Sequence, residues 1–537
     1  MTARADLAVT GSRVWIGDGS WSHGLAVRAG RIVAHGAEVA ELIGPRTEVL
    51  HGLGAMVVPG FQDSHIHAPQ AGRNLTHVDL RDLASRDAYL ERLGAYLGEH
   101  PDIEWIVGGG WSMEHFPGGA PHKEDLDAVT GARPAFLFNR DVHGAWVNSA
   151  ALRLGGIDAG TPDPSDGRYE RDANGEPTGM LHEGAAYSYE AHFVPSPTRE
   201  QWEQAILVAQ RHLHSLGITA WQDAWVTPQT QEAYRSLDSA DRLSARVVGA
   251  LWWDRHRGLE QIDELRERRT RDARNFHPTT VKIMVDGIIE NQTSSMLEPF
   301  CDGCGGHTDN RGLDYVPREV LSPALTQLDA LGFQVHMHAI GDRAIRNALD
   351  AVEAARQANG ASDNRHHIAH VQVVGPSDLG RFASLDVVAN CQTFWAQGEP
   401  QMLEFTIPWL GPERAELQYP FGDLWRSGAR LALGSDWPVT TADPLAQLEV
   451  AVRHIDPEHR DTAPFMPEQC LPLEVALSGF TAGTAYVNHD PDGATLGVGT
   501  RADFAVLDQN LFELDGRVSD ASVVCTVASG ALVHRPG

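Results

Sequence analysis

Residues 57–67 read VVPGFQDSHIH and carry the strongest structural signal in the chain. A run of apolar and small residues leads into two histidines that stand two positions apart. Side chains of a β-strand alternate between its faces, so His65 and His67 would share one face if this segment is a strand. Two such imidazoles can bind one metal ion, although most histidine pairs of this kind are ordinary surface or core residues. The metal hypothesis therefore needs further ligands elsewhere in the chain.

Further polar residues follow short apolar runs later in the chain. These segments are VKIMVDG at 281–287, FQVHMHAIGD at 333–342, HHIAHV at 366–371 and LALGSDWP at 431–438. A (β/α)8 barrel places its chemical groups at the carboxyl ends of its strands, where such polar residues would stand. We predict an α/β protein built on a TIM-like (β/α)8 barrel with a metal site at that end. The candidate ligands are His65, His67, Lys282, His338, His370 and Asp436.

The sequences of several longer segments resemble those of a known protein family. These segments are PGFQDSHIH (59–67), RDVHGAWVNSAAL (140–152), GEPTGMLHEGA (175–185), VKIMVDG (281–287), VHMHAIGDRAI (335–345), RHHIAH (365–370), LALGSDWPV (431–439), TAGTAYV (481–487) and GVGTRADFAVLD (497–508). They resemble the amidohydrolase superfamily, and in detail its YtcJ-like branch of the amidohydrolase-3 type, which includes N-substituted formamide deformylases. One departure is Ala369, because that branch usually carries an acidic residue just before the strand-6 histidine. The resemblance implies a metal-dependent hydrolase and leaves its substrate unspecified.

Composition narrows the classes of partner. The 537-residue chain carries a formal net charge of −29, which argues against a nucleic-acid or anionic-membrane partner because like charges repel. No apolar run approaches the roughly 18–20 residues that a membrane-spanning helix needs, and the first residues lack a signal-peptide core. Five cysteines in the whole chain fit a reducing compartment, so we expect a cytoplasmic protein. We expect a small-molecule substrate and leave a homodimer open.

The two ends of the chain predict a separate β domain. Short β-like runs punctuated by Gly and Asp occur at both ends, so residues 1–58 and 490–537 are predicted to form one small β-sandwich. In the resembled superfamily, such a domain is the usual companion of the barrel. The runs are 8–16, 23–28, 31–35, 502–507, 522–527 and 531–533.

The middle of the chain predicts the metal-binding barrel. Residues 59–489 alternate strands with helix-like stretches, as βα units require. Residues from about 78 to 215 are too many for one βα unit and are predicted to contain an insertion near the barrel mouth. The helix-like stretches are 200–216, 318–331 and 342–359.

The resembled ligand set allows one or two metal ions. His65, His67 and Asp436 are predicted to hold one divalent cation, zinc, and His338 with His370 would hold a second. Two neighbouring cations repel each other, so a binuclear site needs a bridging anion.

Lys282 decides between these two arrangements. In the resembled superfamily a carboxylated lysine often supplies the bridging anion, and Lys282 stands where that lysine is expected. The alternative is a buried lysine paired with a carboxylate such as Asp286, which would favour a mononuclear site.

The predicted chemistry is hydrolysis by activated water. A divalent cation lowers the pKa of water that it binds, and Asp436 is predicted to accept the water proton and deliver it to the leaving nitrogen. Asp436 could instead serve only as a ligand or a helix cap. The metal, His370 or His143 is predicted to polarise the substrate carbonyl, with a structural role as the alternative for His143.

Substrate contacts are predicted from polar and aromatic residues near strand ends. Asp141 follows the apolar run 136–138, and Trp111 and Trp395 also stand near predicted strand ends or loops. An aromatic lining would favour an apolar or aromatic group on the substrate. Core packing is the competing role for both tryptophans.

Three further features keep open roles. Glu183 either contributes to the site or anchors a loop. His336 shares a strand face with His338 and is predicted to lie deeper in the barrel with a structural role. The CxxC at 301–304 is predicted to be a plain loop, since a zinc knuckle would have only His307 as a close third ligand.

Three functions remain in competition. The favoured one is hydrolysis of a C–N bond in a small N-substituted amide. The second is the same fold acting on an ester, a lactone or a cyclic amide. The third is a catalytically silent barrel that regulates or binds, which the intact ligand set argues against.

Overall fold

The computed structural model describes residues 4–269, 274–303 and 305–535. Three β-sheets form the framework, and helices pack around them. None of the helices in these ranges combines the length and apolar character that crossing a membrane requires.

Both ends of the chain build one eight-stranded sheet, the terminal sheet. Its strands are β1 (Leu7–Trp15), β2 (Trp21–Arg28), β3 (Arg31–His35), β4 (Glu48–His51), β5 (Met56–Pro59), β20 (Phe504–Leu507), β21 (Val523–Ala528) and β22 (Ala531–His534). Strand β5 lies parallel to β1 and antiparallel to β20, with Met56 opposite Leu507. Alternate side chains such as Val14 and Val57 form an apolar core between these strands. The predicted β unit from both termini is confirmed.

The central sheet is the predicted barrel. Its strands are β6 (Phe61–Ile66), β13 (Ile218–Val226), β14 (Arg246–Trp252), β15 (Phe276–Met284), β16 (Gln334–Ala339), β17 (His367–His370), β18 (Val388–Cys391) and β19 (Leu431–Leu433). Each pairs in parallel with the next along the chain. Backbone bonds from Asp436 N to His65 O (2.7 Å) and from His67 N to Trp437 O (2.9 Å) link the two ends. This closure brings the end of β6 against the segment that follows β19.

Helices cover the sheets. They are α1 (Glu38–Leu42), α2 (Ala68–Asn74), α3 (Arg86–Glu99), α4 (Lys123–Thr130), α5 (Ser149–Gly155), α6 (Gly184–Phe193), α7 (Arg199–Ser215), α8 (Pro228–Ser239), α9 (Gln261–Arg268), α10 (Arg318–Ala330), α11 (Asp342–Asn359), α12 (Leu379–Ser384), α13 (Ile407–Leu410), α14 (Pro412–Ala415), α15 (Phe421–Arg426), α16 (Pro444–Arg453), α17 (Leu473–Ser478) and α18 (Thr484–Val487). A reciprocal capping box between Thr198 and Gln201 starts α7. The three helix-like stretches predicted from sequence correspond to α7, α10 and α11.

A second sheet interrupts the barrel after α2. Its strands are β7 (Val78–Asp79), β8 (Ile106–Trp111), β9 (Ala135–Asn139), β10 (Gly144–Val147), β11 (Gly167–Arg171) and β12 (Pro177–Glu183). Helix α7, which falls inside the predicted insertion of about 78–215, packs against α2. A Cβ on Gly72 would lie only 1.9 Å from the carbonyl oxygen of Ala205, so glycine permits this close approach. The domain limits at 58 and 490 stay a prediction.

One layer of the barrel interior is polar. Lys282 on β15, His336 on β16 and His367 on β17 are direct neighbours in register, and each is 1% exposed or less. Barrels of this type are usually filled by branched apolar side chains. A buried polar layer must satisfy its hydrogen-bonding atoms internally. On β16, this layer lies two residues before His338, and it therefore supports the strand ends from below.

Candidate metal centre

Three side chains meet where the barrel closes. His65 and His67 stand at the end of β6, and Asp436 follows β19. Oδ1 of Asp436 lies 3.3 Å from Nε2 of His65 and 3.0 Å from Nε2 of His67. The ligand atoms of the three residues all lie within 4.8 Å of one another, and they form the one such group of three found among the described residues.

The protonation of this group suits a cation. Burial, reinforced by the positive charge of Lys282, holds the pKa of His65 well below its usual range, so its imidazole is neutral and keeps a lone pair. Burial alone would raise the pKa of Asp436, but the hydrogen bond from His67 and nearby positive charge lower it. The group therefore combines a carboxylate with neutral imidazole, which are ligands for a divalent transition metal.

His338 and His370 lie beside this group. Their ring centroids are 4.5 Å apart, and the ring of His370 is 4.8 Å from that of His65. His370 adopts a positive φ of 76°, and its backbone N–H donates to Oε1 of Gln392 at 2.8 Å. Strain of this kind in a non-glycine residue is typical of functional sites. The structure thus brings four of the predicted histidine ligands into one cluster.

Lys282 lies in the buried layer under the cluster. Burial lowers its pKa to about 7, although Asp436 opposes the shift. Within the described residues, no carboxylate lies at ion-pair distance from its ammonium group. The Asp286 carboxylate, its alternative partner, instead accepts hydrogen bonds from the backbone N–H groups of Ser295, Ile340 and Gly341. Lys282 is therefore free of the pairing that would fix it as a structural ammonium.

The insertion contributes a charged pair at the barrel mouth. Nδ1 of His143 lies 2.8 Å from Oε2 of Glu183, and the His143 ring centroid is 5.6 Å from that of His338. Burial alone would lower the pKa of His143, but Glu183 raises it to about 9. Burial would likewise raise the pKa of Glu183, but His143 lowers it to about 2. The pair therefore stands as imidazolium and carboxylate.

Glu183 also ties the insertion to the barrel. The side chain is fully buried, and its Oε1 accepts hydrogen bonds from Oγ1 of Thr293 (2.7 Å) and Nδ2 of Asn291 (3.2 Å). Both donors lie in the loop after β15. Its backbone has a positive φ of 54°, which costs energy in a residue with a side chain. Sequence reasoning left the role of Glu183 undecided. In the structure, Glu183 contacts both His143 in the insertion and Thr293 in the loop after β15.

The predicted substrate-binding residues have different surroundings. Oδ1 of Asp141 accepts a hydrogen bond from the His143 backbone N–H at 2.9 Å, so Asp141 stands next to the charged pair. Trp395 is half-buried, with the Arg140 guanidinium 6.0 Å from its ring centroid. Trp111 is fully buried in the core of the insertion, and its Nε1 donates to the carbonyl of Leu137. Trp111 thus packs the core and exposes no surface to a substrate.

An aromatic wall that sequence reasoning missed stands beside His67. The Trp225 ring centroid lies 6.2 Å from that of His67, 5.1 Å from Trp252 and 6.1 Å from Tyr187. Trp225, Trp252 and Tyr187 are half-buried. Trp225 and Trp252 stand at the carboxyl ends of β13 and β14. The rule that places barrel chemistry at strand ends would have identified them, had these two strands been located from the sequence.

Cys301 of the CxxC motif has its own local contacts. Sγ of Cys301 is 3.8 Å from Nδ1 of His307 and 3.5 Å from the Leu410 carbonyl oxygen. Cys304, the second cysteine of the motif, lies outside the described residues. The plain loop predicted at 301–304, as opposed to a zinc knuckle, therefore stays a prediction.

Comparison with known proteins identifies the family. A model of the amidohydrolase family (Amidohydro_3) matches residues 53–534. The chain belongs to the amidohydrolase family. Protein LONG AFTER FAR-RED 3 of Arabidopsis thaliana is 30% identical over 99% of this chain and 92% of its own length. N-substituted formamide deformylase of Arthrobacter pascens is 28% identical over 99% of each chain.

A solved structure agrees with this family assignment. An uncharacterized metal-dependent hydrolase from Pyrococcus horikoshii superposes with a TM-score of 0.74 at 25% identity, covering 95% of this chain and 99% of that one. The resemblance predicted from sequence is confirmed, as is the barrel fold. Family and neighbour together support hydrolase activity with a bound metal.

The residues of this amidohydrolase-family member fit such a metal. Two imidazole nitrogens and one carboxylate oxygen converge at the strand ends, which is a donor set that zinc and related divalent ions accept. Nδ1 of His65 is engaged by Nε2 of His336 at 2.8 Å, so Nε2 of His65 is the nitrogen turned toward Asp436. Metal-binding histidines almost always have such a partner on the second nitrogen. His336 therefore lies deeper, as predicted, but it contacts a candidate ligand directly.

Proposed function

We propose that this protein is a metal-dependent hydrolase that cleaves the C–N bond of a small amide whose nitrogen carries an apolar or aromatic group. The convergence of His65, His67 and Asp436 at the mouth of an amidohydrolase-family barrel carries the proposal. The deformylase relative, which is similar over the full length of both chains, supports an N-substituted formamide or a related N-acyl amine as the substrate class.

The proposed ligands of the cation, zinc by preference, are His65, His67 and Asp436, with His338 and His370 lining the space beside it. Bound there, the cation would supply Lewis acidity, which acidifies water and polarises a carbonyl group.

Asp436 is the proposed proton carrier. Burial would raise the pKa of its carboxyl group, but the positive charge around it lowers that pKa, and a bound cation would act in the same direction, so the carboxylate can accept a proton from the attacking water. The same group then returns that proton to the leaving nitrogen, which departs as a neutral amine. Both transfers require the Asp436 carboxylate to stay at the strand end. The hydrogen bond from the Asp436 backbone N–H to the His65 carbonyl oxygen, which closes the barrel, fixes the backbone of Asp436 there.

His143 is the proposed donor to the substrate carbonyl oxygen, and Glu183 is its positioning residue. Because Nδ1 is occupied by Glu183, the donor available to a substrate is Nε2. A fixed cationic donor stabilises negative charge as it develops on the oxygen. Asp141 supports this orientation through the His143 backbone N–H.

The aromatic wall is the proposed pocket for the N-substituent. Trp225, Trp252 and Tyr187 present half-buried rings beside His67. Such rings favour apolar and aromatic groups, which lose contact with water on binding. Trp395, whose ring centroid lies 6.0 Å from the Arg140 guanidinium, is a further proposed substrate contact.

Lys282 is proposed to be carboxylated. Its neutral Nζ lone pair would form an N–C bond with CO2 and release one proton, leaving a carbamate whose two oxygens share one negative charge. Burial favours the neutral amine that this addition requires, since the pKa is lowered to about 7. The carbamate would provide the bridging anion for a second cation beside His338 and His370.

Chemical rescue tests the carbamate. Lys282→Ala should lose activity that acetate or propionate partly restores, because a free carboxylate can replace the missing anion. Lys123→Ala, a change in the insertion, should keep its activity and show no response to acetate. A Lys282→Ala protein with two metal ions per chain and near-normal kcat without rescue would show that no carbamate bridge is needed.

A substrate panel tests the reaction class. Metal-loaded protein is incubated with N-benzylformamide, N-methylformamide, N-benzylacetamide and matched benzyl esters and lactones, and release of the amine or alcohol is measured. We expect the amides with an aromatic N-substituent to have the highest kcat/KM. Asp436→Asn, with its metal content measured in the same sample, should lower kcat by at least about 10²-fold.

Two results of the panel would overturn the proposal. Esters or lactones cleaved at least about 10-fold more efficiently than the amides, a difference of about 1.4 kcal/mol, would assign another reaction class. No turnover of any compound by fully metallated protein would favour the silent barrel. A cytoplasmic location and a homodimer stay predictions beside this proposal.

A further inference from the structure

The hydrogen bonds below His65 have a fixed direction that begins at the backbone. Nε2 of Gln334 lies 2.8 Å from the carbonyl oxygens of both Arg365 and Val487. Carbonyl oxygens only accept hydrogen bonds, so the Gln334 amide must turn its nitrogen toward them. Its Oε1 then faces the barrel axis, where it accepts from Oγ1 of Thr280 and from Nε2 of Gln222 at 3.0 Å.

This orientation determines the next amide. Nε2 of Gln222 donates to Oε1 of Gln334 and to Oδ1 of Asn488 at 3.2 Å. Oε1 of Gln222 therefore faces Nδ1 of His336, at 2.7 Å. An amide oxygen cannot donate, so the proton of this hydrogen bond belongs to Nδ1 of His336.

The direction continues into His65. His336 is fully buried, and no carboxylate among the described residues lies within ion-pair distance of it, so its ring is neutral. A neutral ring with a proton on Nδ1 has a lone pair on Nε2, which lies 2.8 Å from Nδ1 of His65. His65 must then donate through Nδ1, and its own lone pair is on Nε2, the atom 3.3 Å from Asp436.

We propose that Gln334, Gln222 and His336 form a relay of fixed hydrogen-bond direction that holds His65 in the tautomer able to ligate the metal. Gln222 and His336 are thus positioning residues for metal binding. His336 contacts the ligand His65 directly, and Gln222 acts on His65 only through His336. This inference rests on the proposed function, because it takes His65 as a metal ligand. It assigns a role to a glutamine inside β13 that contributes no atom to the metal site.

Zinc affinity distinguishes the relay from general packing. Gln222→Met keeps the length of the side chain but lacks a strong acceptor, so His336 loses the constraint on its tautomer. Gln222→Glu keeps an acceptor oxygen for Nδ1 of His336 whether its carboxyl group is neutral or ionised. The measurement is the zinc dissociation constant of metal-free protein, obtained by competition with a chromophoric chelator.

We expect Gln222→Met to raise the zinc Kd by about 10- to 100-fold, the range for loss of a partner of a metal-binding histidine. Gln222→Glu should stay within about 3-fold of wild type, which is well below that range. Gln210→Met is the matched control, because Gln210 on α7 is also buried and hydrogen-bonded to Arg242, Ser244 and Ala245. Its zinc Kd should equal that of wild type.

Wild-type protein gives a second readout if a Gln222 variant fails to fold. A long-range 1H–15N spectrum of zinc-free protein should show His65 and His336 both protonated on Nδ1, with the His65 signals assigned by their absence in His65→Gln. An Nε2–H tautomer at either residue, or a wild-type zinc Kd in Gln222→Met, overturns the relay. His65→Ala distinguishes failure of the relay proposal from failure of the proposed metal site. If His65→Ala loses zinc and Gln222→Met keeps the wild-type zinc Kd, the relay is wrong and His65 is still a metal ligand.

Discussion

At the scale of single residues, Glu183 shows how a buried charge organises the proposed site. Glu183→Gln removes the negative charge but keeps the shape, so burial would return His143 to its neutral form and weaken its hydrogen bond to the substrate. We expect kcat/KM to fall by about 10²-fold, the usual effect of losing one donor to a developing oxyanion, mainly through kcat. Steady-state kinetics on the preferred amide measures it.

Glu449→Gln is the matched control for this change. Glu449 is also fully buried, and it accepts hydrogen bonds from Arg453, Arg460 and Ser519. Glu449→Gln should lower the melting temperature without lowering kcat/KM. Equal losses of kcat/KM in both variants would reduce Glu183 to a structural residue.

Single residues also show where sequence reasoning succeeds and fails. The spacing of His65 and His67 was sufficient to place both on one side of the site, because a strand alternates strictly between faces. The same spacing could not reveal that His336 contacts His65, since they lie on strands far apart in the chain. Trp111 takes the competing core-packing role instead of a substrate contact, because a strand end in the insertion is a core position, not a barrel mouth.

At the scale of elements, the ends of neighbouring strands determine what surrounds the site. Apolar runs with terminal polar residues identified β6, β15, β16, β17 and β19, whereas β13 and β14 were not located from the sequence. Consequently the aromatic wall built on their ends was not predicted. The insertion was expected near the mouth, and its strand β12 ends at Glu183, in contact with the loop after β15.

Trp225 tests the contribution of this wall. Trp225→Ala should lower kcat/KM for N-benzylformamide by about 10-fold, equivalent to about 1.4 kcal/mol, because an aromatic contact beyond simple burial is lost. The value for N-methylformamide should change little, since a methyl group does not reach the wall. Parallel kinetics on the two substrates gives the ratio. A uniform loss on both would show that Trp225 supports the site and does not select the substituent.

At the scale of the whole molecule, buried histidines link stability to pH. His214, in the last turn of α7, is 3% exposed; its Nδ1 donates to the Ile218 carbonyl, and its own carbonyl accepts from Oγ1 of Thr526 on the terminal sheet. Burial lowers its pKa from 6.5 to about 4. The folded state therefore binds fewer protons than the unfolded state between these values, and stability present above pH 6.5 is lost as the pH falls through about 4.

His214→Leu tests this linkage. From the size of the shift, one such histidine accounts for roughly 3 kcal/mol of acid destabilisation. Thermal unfolding of metal-free protein is followed from about pH 7.5 to about pH 4, a range that spans the titration. The variant should be less stable than wild type at the upper end and should lose less stability on acidification. Parallel curves for the two proteins would show that His214 does not titrate on unfolding.

The most direct test of the central claim is the divalent-metal content of protein purified without added metal. Wild-type protein should carry at least one divalent ion per chain, and His65→Ala/His67→Ala should carry almost none and show no amide hydrolysis. His214→Ala/His454→Ala, which changes two buried histidines outside the ligand cluster, should keep its metal if it folds. Full metal occupancy in folded His65→Ala/His67→Ala protein would contradict the account.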